Sequence, residues 1–225
     1  MALKELKQMV TLSSLDLIKE NERELNDNHV IIFILIKPSD ENSQDIIGKF
    51  NYLHYLSGEY CTIYPIGYSN IPWNHSLYGN SKEVEGVDNQ IWYYNDKAFL
   101  EMVNQIEERI KWRYSGEPEM MILQNNTNDH DFLSFKNYIC IRILEGLRKN
   151  YFPSFALLIQ NIINSAKKYV TGKEVIQDVS KKSIKDHIKL KDIIVDTFLT
   201  FVKVPEFVKK ILKDGLFYFS ANSRK

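Results

Sequence analysis

The side chains with chemistry to offer crowd into one stretch, Asn51–Tyr68, where His54, Tyr55, Ser57, Glu59 and Tyr60 follow one another closely. A serine, a histidine and a carboxylate side by side suggest a nucleophile, its base and an orienting acid. Their spacing argues otherwise. Triad members come from separated elements, whereas these are neighbours at a helix stop, where such residues serve as caps, and no G-x-S-x-G elbow occurs in the chain. Glu117 and Glu119 form a second group, preceding a strand much as Glu59 does. Carboxylates meeting at one sheet edge can hold a divalent ion for phosphoryl chemistry. His54, Glu59, Glu117 and Glu119 are therefore the candidate catalytic set of an enzyme acting on a phosphorylated or nucleotide-like small molecule.

Other chemistry is thin. P-loop, G-x-G-x-x-G, H-E-x-x-H and EF-hand patterns are all missing from the sequence, so neither a cofactor nor a bound metal is expected. Asp129-His130-Asp131 follows Gln-Asn-Asn-Thr-Asn, which is turn composition rather than a ligand set. Cys61 and Cys140 have no C-x-x-C or zinc-like spacing, which suits a reduced thiol pair in the cytoplasm.

Aromatic residues are the stronger theme. Tyr68, Trp73, Tyr78 and Trp92 lie in or beside a long irregular stretch, 67–90, where exposed rings would anchor a protein partner. Nucleic acid is a poor fit here, because Lys82 is the one Lys or Arg between residues 51 and 96. The charge lies elsewhere. Residues 1–166 carry 15 basic and 22 acidic side chains, and residues 167–225 carry 14 basic and 7 acidic. A lysine-rich tail over 173–225 is thus a candidate nucleic-acid contact.

The elements that must position these groups alternate in type. Residues 1–28 read as a helical arm. His29–Ile36 is a continuous β-branched run, the pattern of a strand buried on both faces. A helix over about 43–57, a strand at Tyr60–Ile66 and a short strand at Ile91–Tyr94 follow. Asn95-Asp96 caps a helix from Lys97 to about Trp112, with Phe99, Met102, Val103, Ile106 and Ile110 inward. Strands at Glu119–Gln124 and Asn137–Leu144 and a helix over 152–169 complete the core. Beyond Gly172, apolar positions among many lysines fit amphipathic helices, and Phe217-Tyr-Phe219 reads as a short strand or docked tail. The expected fold is α/β: a mostly parallel central sheet with helices on both faces over 29–170, with a basic helical extension over 171–225.

Three strings carry a family resemblance: Phe50-Asn-Tyr-Leu-His-Tyr-Leu-Ser-Gly58, Pro65-Ile-Gly-Tyr68 and Tyr114-Ser-Gly-Glu117. They are similar to the pattern F-x-Y-x-H-Y-x-S-G…P-x-G-Y…Y-S-G-E of a bacterial family of unknown function. The resemblance covers about residues 30–165 and leaves out the lysine-rich tail. It implies a bacterial origin and the company of mobile or antiviral-defence genes, and it transfers no catalytic residue. Where that family has a basic residue before the S-G, this chain has Leu56, which removes an anion-binding role there. The strand order is also similar to a thioredoxin-like layout, with Glu117-Pro118 where such folds keep a cis-proline. Lys37-Pro38-Ser39-Asp40 stands in place of a redox C-x-x-C, which argues against thiol–disulfide chemistry.

The N-terminus lacks the apolar core of a signal peptide, and the longest apolar run of the first half, Val30–Ile36, is far below the ~20 residues that span a bilayer. These readings converge on a cytoplasmic, non-enzymatic protein-binding or adaptor subunit of a bacterial complex, defence-associated and without membrane contact. The enzyme and the nucleic-acid module are the alternatives.

Overall fold

Six consecutive apolar residues, most of them β-branched, with no polar side to turn outward, force a strand into the middle of the molecule. The strand β1 (Val30–Leu35) is buried at all six positions. The computed structural model describes residues 9–25, 29–58, 60–125, 133–168 and 217–221. On one side β1 pairs in parallel with β2 (Cys61–Pro65), Val30 opposite Cys61 and Phe33 opposite Tyr64. On the other it pairs antiparallel with β6 (Glu119–Asn125), Leu35 opposite Glu119. Beyond β6 come β7 (Leu133–Arg142) and then β8 (Phe217–Ala221), both antiparallel to their neighbours, giving the order β2-β1-β6-β7-β8.

The expected mostly parallel sheet is overturned: among the described strands β1 and β2 are its one parallel pair. A continuous apolar run reports burial on two faces and is silent about the direction of its neighbours. The crossover from β1 to β2 runs through α2 (Ser43–Ile47) and α3 (Phe50–Ser57), long enough to return the chain in parallel. Between β6 and β7 only residues 126–132 intervene, and that length suits an antiparallel return. The Glu117–Pro118 peptide bond is trans, against the cis-proline expectation.

The stretch 67–90, expected to be irregular, holds β3 (Tyr68–Ser69), α4 (His75–Tyr78), β4 (Lys82–Glu85) and a single 3-10 turn at Val87–Asn89. With β5 (Ile91–Tyr94) they build a second, antiparallel sheet of order β3-β5-β4. The β4–β5 hairpin turns on Asp88 and Asn89, at φ 55° and 57°, left-handed conformations that Asp and Asn tolerate and that two-residue hairpins require. Gly67, at φ 82°, is demanded sterically as well: a Cβ there would lie 2.7 Å from the Cβ of Phe99.

The helix α5 (Asp96–Arg109) starts where its cap was expected: the Asn95 side chain accepts the Ala98 N–H at 3.0 Å. Its buried face is Ala98, Phe99, Met102, Val103 and Ile106. Of the expected N-terminal arm, α1 (Leu15–Leu25) is helical, but Met9 and Val10 are extended and cover the edge of β2, Val10 N–H donating to the Ile63 carbonyl at 2.9 Å. The helices α6 (Ile143–Arg148) and α7 (Phe155–Lys168) follow β7. Residues 1–8 of the arm, Glu59, the Asp129–Asp131 turn and the lysine-rich extension apart from 217–221 lie outside the described residues. Among the described residues no helix is long and apolar enough to cross a membrane.

Candidate functional site

Of the candidate catalytic residues, the three that are described, His54, Glu117 and Glu119, do not assemble. Glu119 opens β6 opposite Leu35, the carboxyl end of β1, whereas α3 delivers the chain to Cys61, opposite the amino end. His54, on α3, shares no hydrogen bond or ion pair with Glu117 or Glu119; its Nδ1 is buried without a hydrogen-bond partner and its ring meets Tyr55 edge-on at 5.2 Å. Ser57 donates its hydroxyl to the His54 carbonyl at 2.8 Å, the capping role that its spacing suggested. Glu117 is half-buried at the surface, and Arg148 joins it at 3.1 Å and Glu41 at 2.6 Å. Glu59 lies outside the described residues.

Glu119 is fully buried and fully engaged. One carboxylate oxygen accepts the Trp112 indole N–H at 3.0 Å and the Cys140 thiol at 3.1 Å, and the other accepts the Ser115 N–H at 3.2 Å with Arg142 Nε at 3.6 Å. Burial pushes this carboxyl above its ordinary range, against the opposing pull of Ser115, Cys140 and Arg142. Burial also pushes the Cys140 thiol well up, and the adjacent Glu119 adds to it, so this cysteine is held as an unreactive thiol. The cluster ties the entrance of β6 to β7 and leaves no group free for substrate.

A second buried network went unrecognised in the sequence. Glu22 of α1 accepts the Tyr64 hydroxyl at 2.6 Å and meets His29 Nε2 at 2.9 Å; His29 also reaches the Thr62 hydroxyl at 2.9 Å, and Asn21 donates to Tyr64 at 2.7 Å. The available signal was an acid in register with the apolar stripe Leu15, Ile18 and Glu22. The arrangement fastens α1 to the sheet.

At the carboxyl end of β1, Lys37 places its ammonium 5.4 Å from the Phe99 ring centre and 6.0 Å from that of Tyr114. Beside it Asp40 accepts the Lys37 backbone N–H at 2.8 Å. Burial raises the Asp40 carboxyl, with Lys37 opposing. Among the described residues no three His, Cys, Asp or Glu side chains are grouped to hold a metal ion.

The four aromatic anchors turn largely inward. Tyr68 is fully buried, donates to the Ile36 carbonyl at 3.1 Å and meets Phe50 edge-on at 5.5 Å. Trp92 lies 5.9 Å from the same Phe50. Trp73 gives its indole N–H to the Tyr93 carbonyl at 2.9 Å and packs against half-buried Tyr78. Tyr68 and Trp92 bind the small sheet to α3 through Phe50.

The outer face of that sheet carries different residues. Glu83 pairs with Tyr93 and Glu85 with Ile91, while the intervening Val84 and Trp92 point the other way, toward the core. Ile91 is 54% exposed, and both glutamates face solvent. The expectation of an irregular 67–90 hides this surface; the i, i+2 spacing of Glu83 and Glu85 before a hairpin turn is its signal in the sequence.

The described residues thus form an α/β domain in which Glu22 and Glu119 are buried in hydrogen-bonded networks and the three-stranded sheet turns an acidic face outward. No family model, curated protein or solved structure matches the chain.

Proposed function

We propose that the chain is a non-enzymatic protein-binding subunit of a bacterial cytoplasmic complex, docking through the outer face of the three-stranded sheet. The observation that carries this reading is Ile91, a large apolar side chain 54% exposed on a regular sheet face and flanked by glutamates. An apolar centre with a charged rim is how a docking patch is built. The aromatic residues first assigned to docking support the reading at one remove, by holding this face rigid. The failure of His54, Glu117 and Glu119 to converge weighs against the enzyme alternative. The bacterial setting rests on the family resemblance.

Native mass spectrometry of the tagged full chain from its own host tests it. The expected result is a second polypeptide at fixed stoichiometry, lost in Ile91→Lys at unchanged melting temperature. A wild-type chain that emerges alone, or a complex indifferent to Ile91→Lys, overturns it.

A further inference from the structure

The small sheet ends at β4. In the order β3-β5-β4 only β5 pairs with this strand, and among the described residues no backbone group of Lys82–Glu85 bonds to anything outside the hairpin. Alternate N–H and C=O groups of the strand therefore point outward unpaired, an open template for another strand. Proteins usually guard such edges with charge, and here the guard has a sign. Both ionic side chains on the outer face, Glu83 and Glu85, are negative, and Lys82 on the inner side reaches toward the Pro38 carbonyl at 3.5 Å. A second copy adding to this edge would set glutamates against glutamates, which is unfavourable for directly opposed like charges. A basic strand would meet the reverse: its Lys or Arg heads would lie beside the two carboxylates of the neighbouring β4.

We propose that β4 is the docking edge for an extended segment of the partner protein with Lys or Arg at alternate positions and an apolar residue between them. This names the partner chemistry of the surface under Proposed function and rests on that reading. Main-chain bonds to Lys82–Glu85 would supply the adhesion and the two glutamates the selection.

The probe is a fluorescein-labelled peptide, acetyl-Lys-Val-Lys-Val-Lys-amide, with its Glu-for-Lys counterpart as control, titrated by anisotropy onto the full chain. The basic peptide is expected to bind saturably, to slow amide exchange at residues 82–85, and to weaken about tenfold in the Glu83→Lys/Glu85→Lys chain. Glu83→Gln/Glu85→Gln, which adds no repulsion, should fall between. Equal binding of both peptides, binding indifferent to these variants, or unchanged exchange at 82–85 overturns the proposal. Failure of the peptide beside an Ile91-dependent native complex refutes the edge and leaves the docking face standing. A wild-type chain that emerges alone, or a complex indifferent to Ile91→Lys, refutes the docking face, and the peptide then decides the edge alone.

Discussion

Replacing Glu119 by alanine should be among the costliest single changes in this fold. The carboxylate is fully buried and receives the Trp112 indole N–H, the Ser115 N–H and the Cys140 thiol. Alanine strands two N–H donors, each costing about 1–3 kcal/mol when buried and unmade. Removing a desolvated charge returns part of that, so the net loss is about 3 kcal/mol. For a chain of this length each kcal/mol is worth roughly 2–4 °C, which puts the melting temperature about 6–12 °C lower. Glu119→Gln keeps the volume and one acceptor and should lose about half as much. Urea unfolding followed by far-UV circular dichroism and by tryptophan emission measures both variants. The pH dependence adds an independent check. A carboxyl raised in the native state stabilises fully below its ordinary range and loses that contribution as pH rises through the raised value. The deficit of Glu119→Gln should therefore shrink from acid toward neutral pH. An alanine variant melting within about 2 °C of wild type, or a glutamine variant worse than alanine, refutes the account of Glu119 as a structural acceptor.

Other outcomes follow from the same network of contacts. Tyr64→Phe removes the 2.6 Å donor to buried Glu22 and should cost about 1.5–3 kcal/mol in urea unfolding. Gly67→Ala combines a left-handed backbone with a 2.7 Å clash against Phe99 and should cost about 2–4 kcal/mol by the same assay. Asp40→Asn removes a carboxyl that burial raises, so the stability that wild type loses as pH climbs above the ordinary carboxylate range should flatten in a melting series. Cys61 and Cys140, both buried, should resist iodoacetamide in the folded chain and react on unfolding, as counted by mass.

Periodicity made the large elements legible. β1, β2, β5, β6, α5 and α7 stand within a few residues of where their apolar patterns place them, because each buries a face wide enough to leave a trace in the sequence. Direction was not legible, since a residue buried on both faces looks the same beside a parallel or an antiparallel neighbour. Of the second sheet only β5 was legible. β3, of two residues, is too short for a period, and β4, Lys-Glu-Val-Glu, is too charged to look like a strand. The expected single helix over 43–57 is broken in two after Ile47, with Gly48 as the C-cap of α2. The candidate site failed for a related reason. Glu119 and Glu117 are two residues apart yet meet opposite fates, one walled in by Trp112 and Cys140 and one out with Arg148, and their shared residue type carries no hint of this.

The pairing of β8 with β7 has a consequence during synthesis. Asn137–Ile141 find their outer neighbours in Phe217–Ala221, which the ribosome adds about 75 residues later. At roughly 5–20 residues per second the wait is on the order of 4–15 seconds. Through that interval the nascent chain displays the bare rim of β7, apolar and ready to zip onto whatever strand is nearest. A message cut short between the two strands would yield a product in which that rim of β7 keeps no partner from β8.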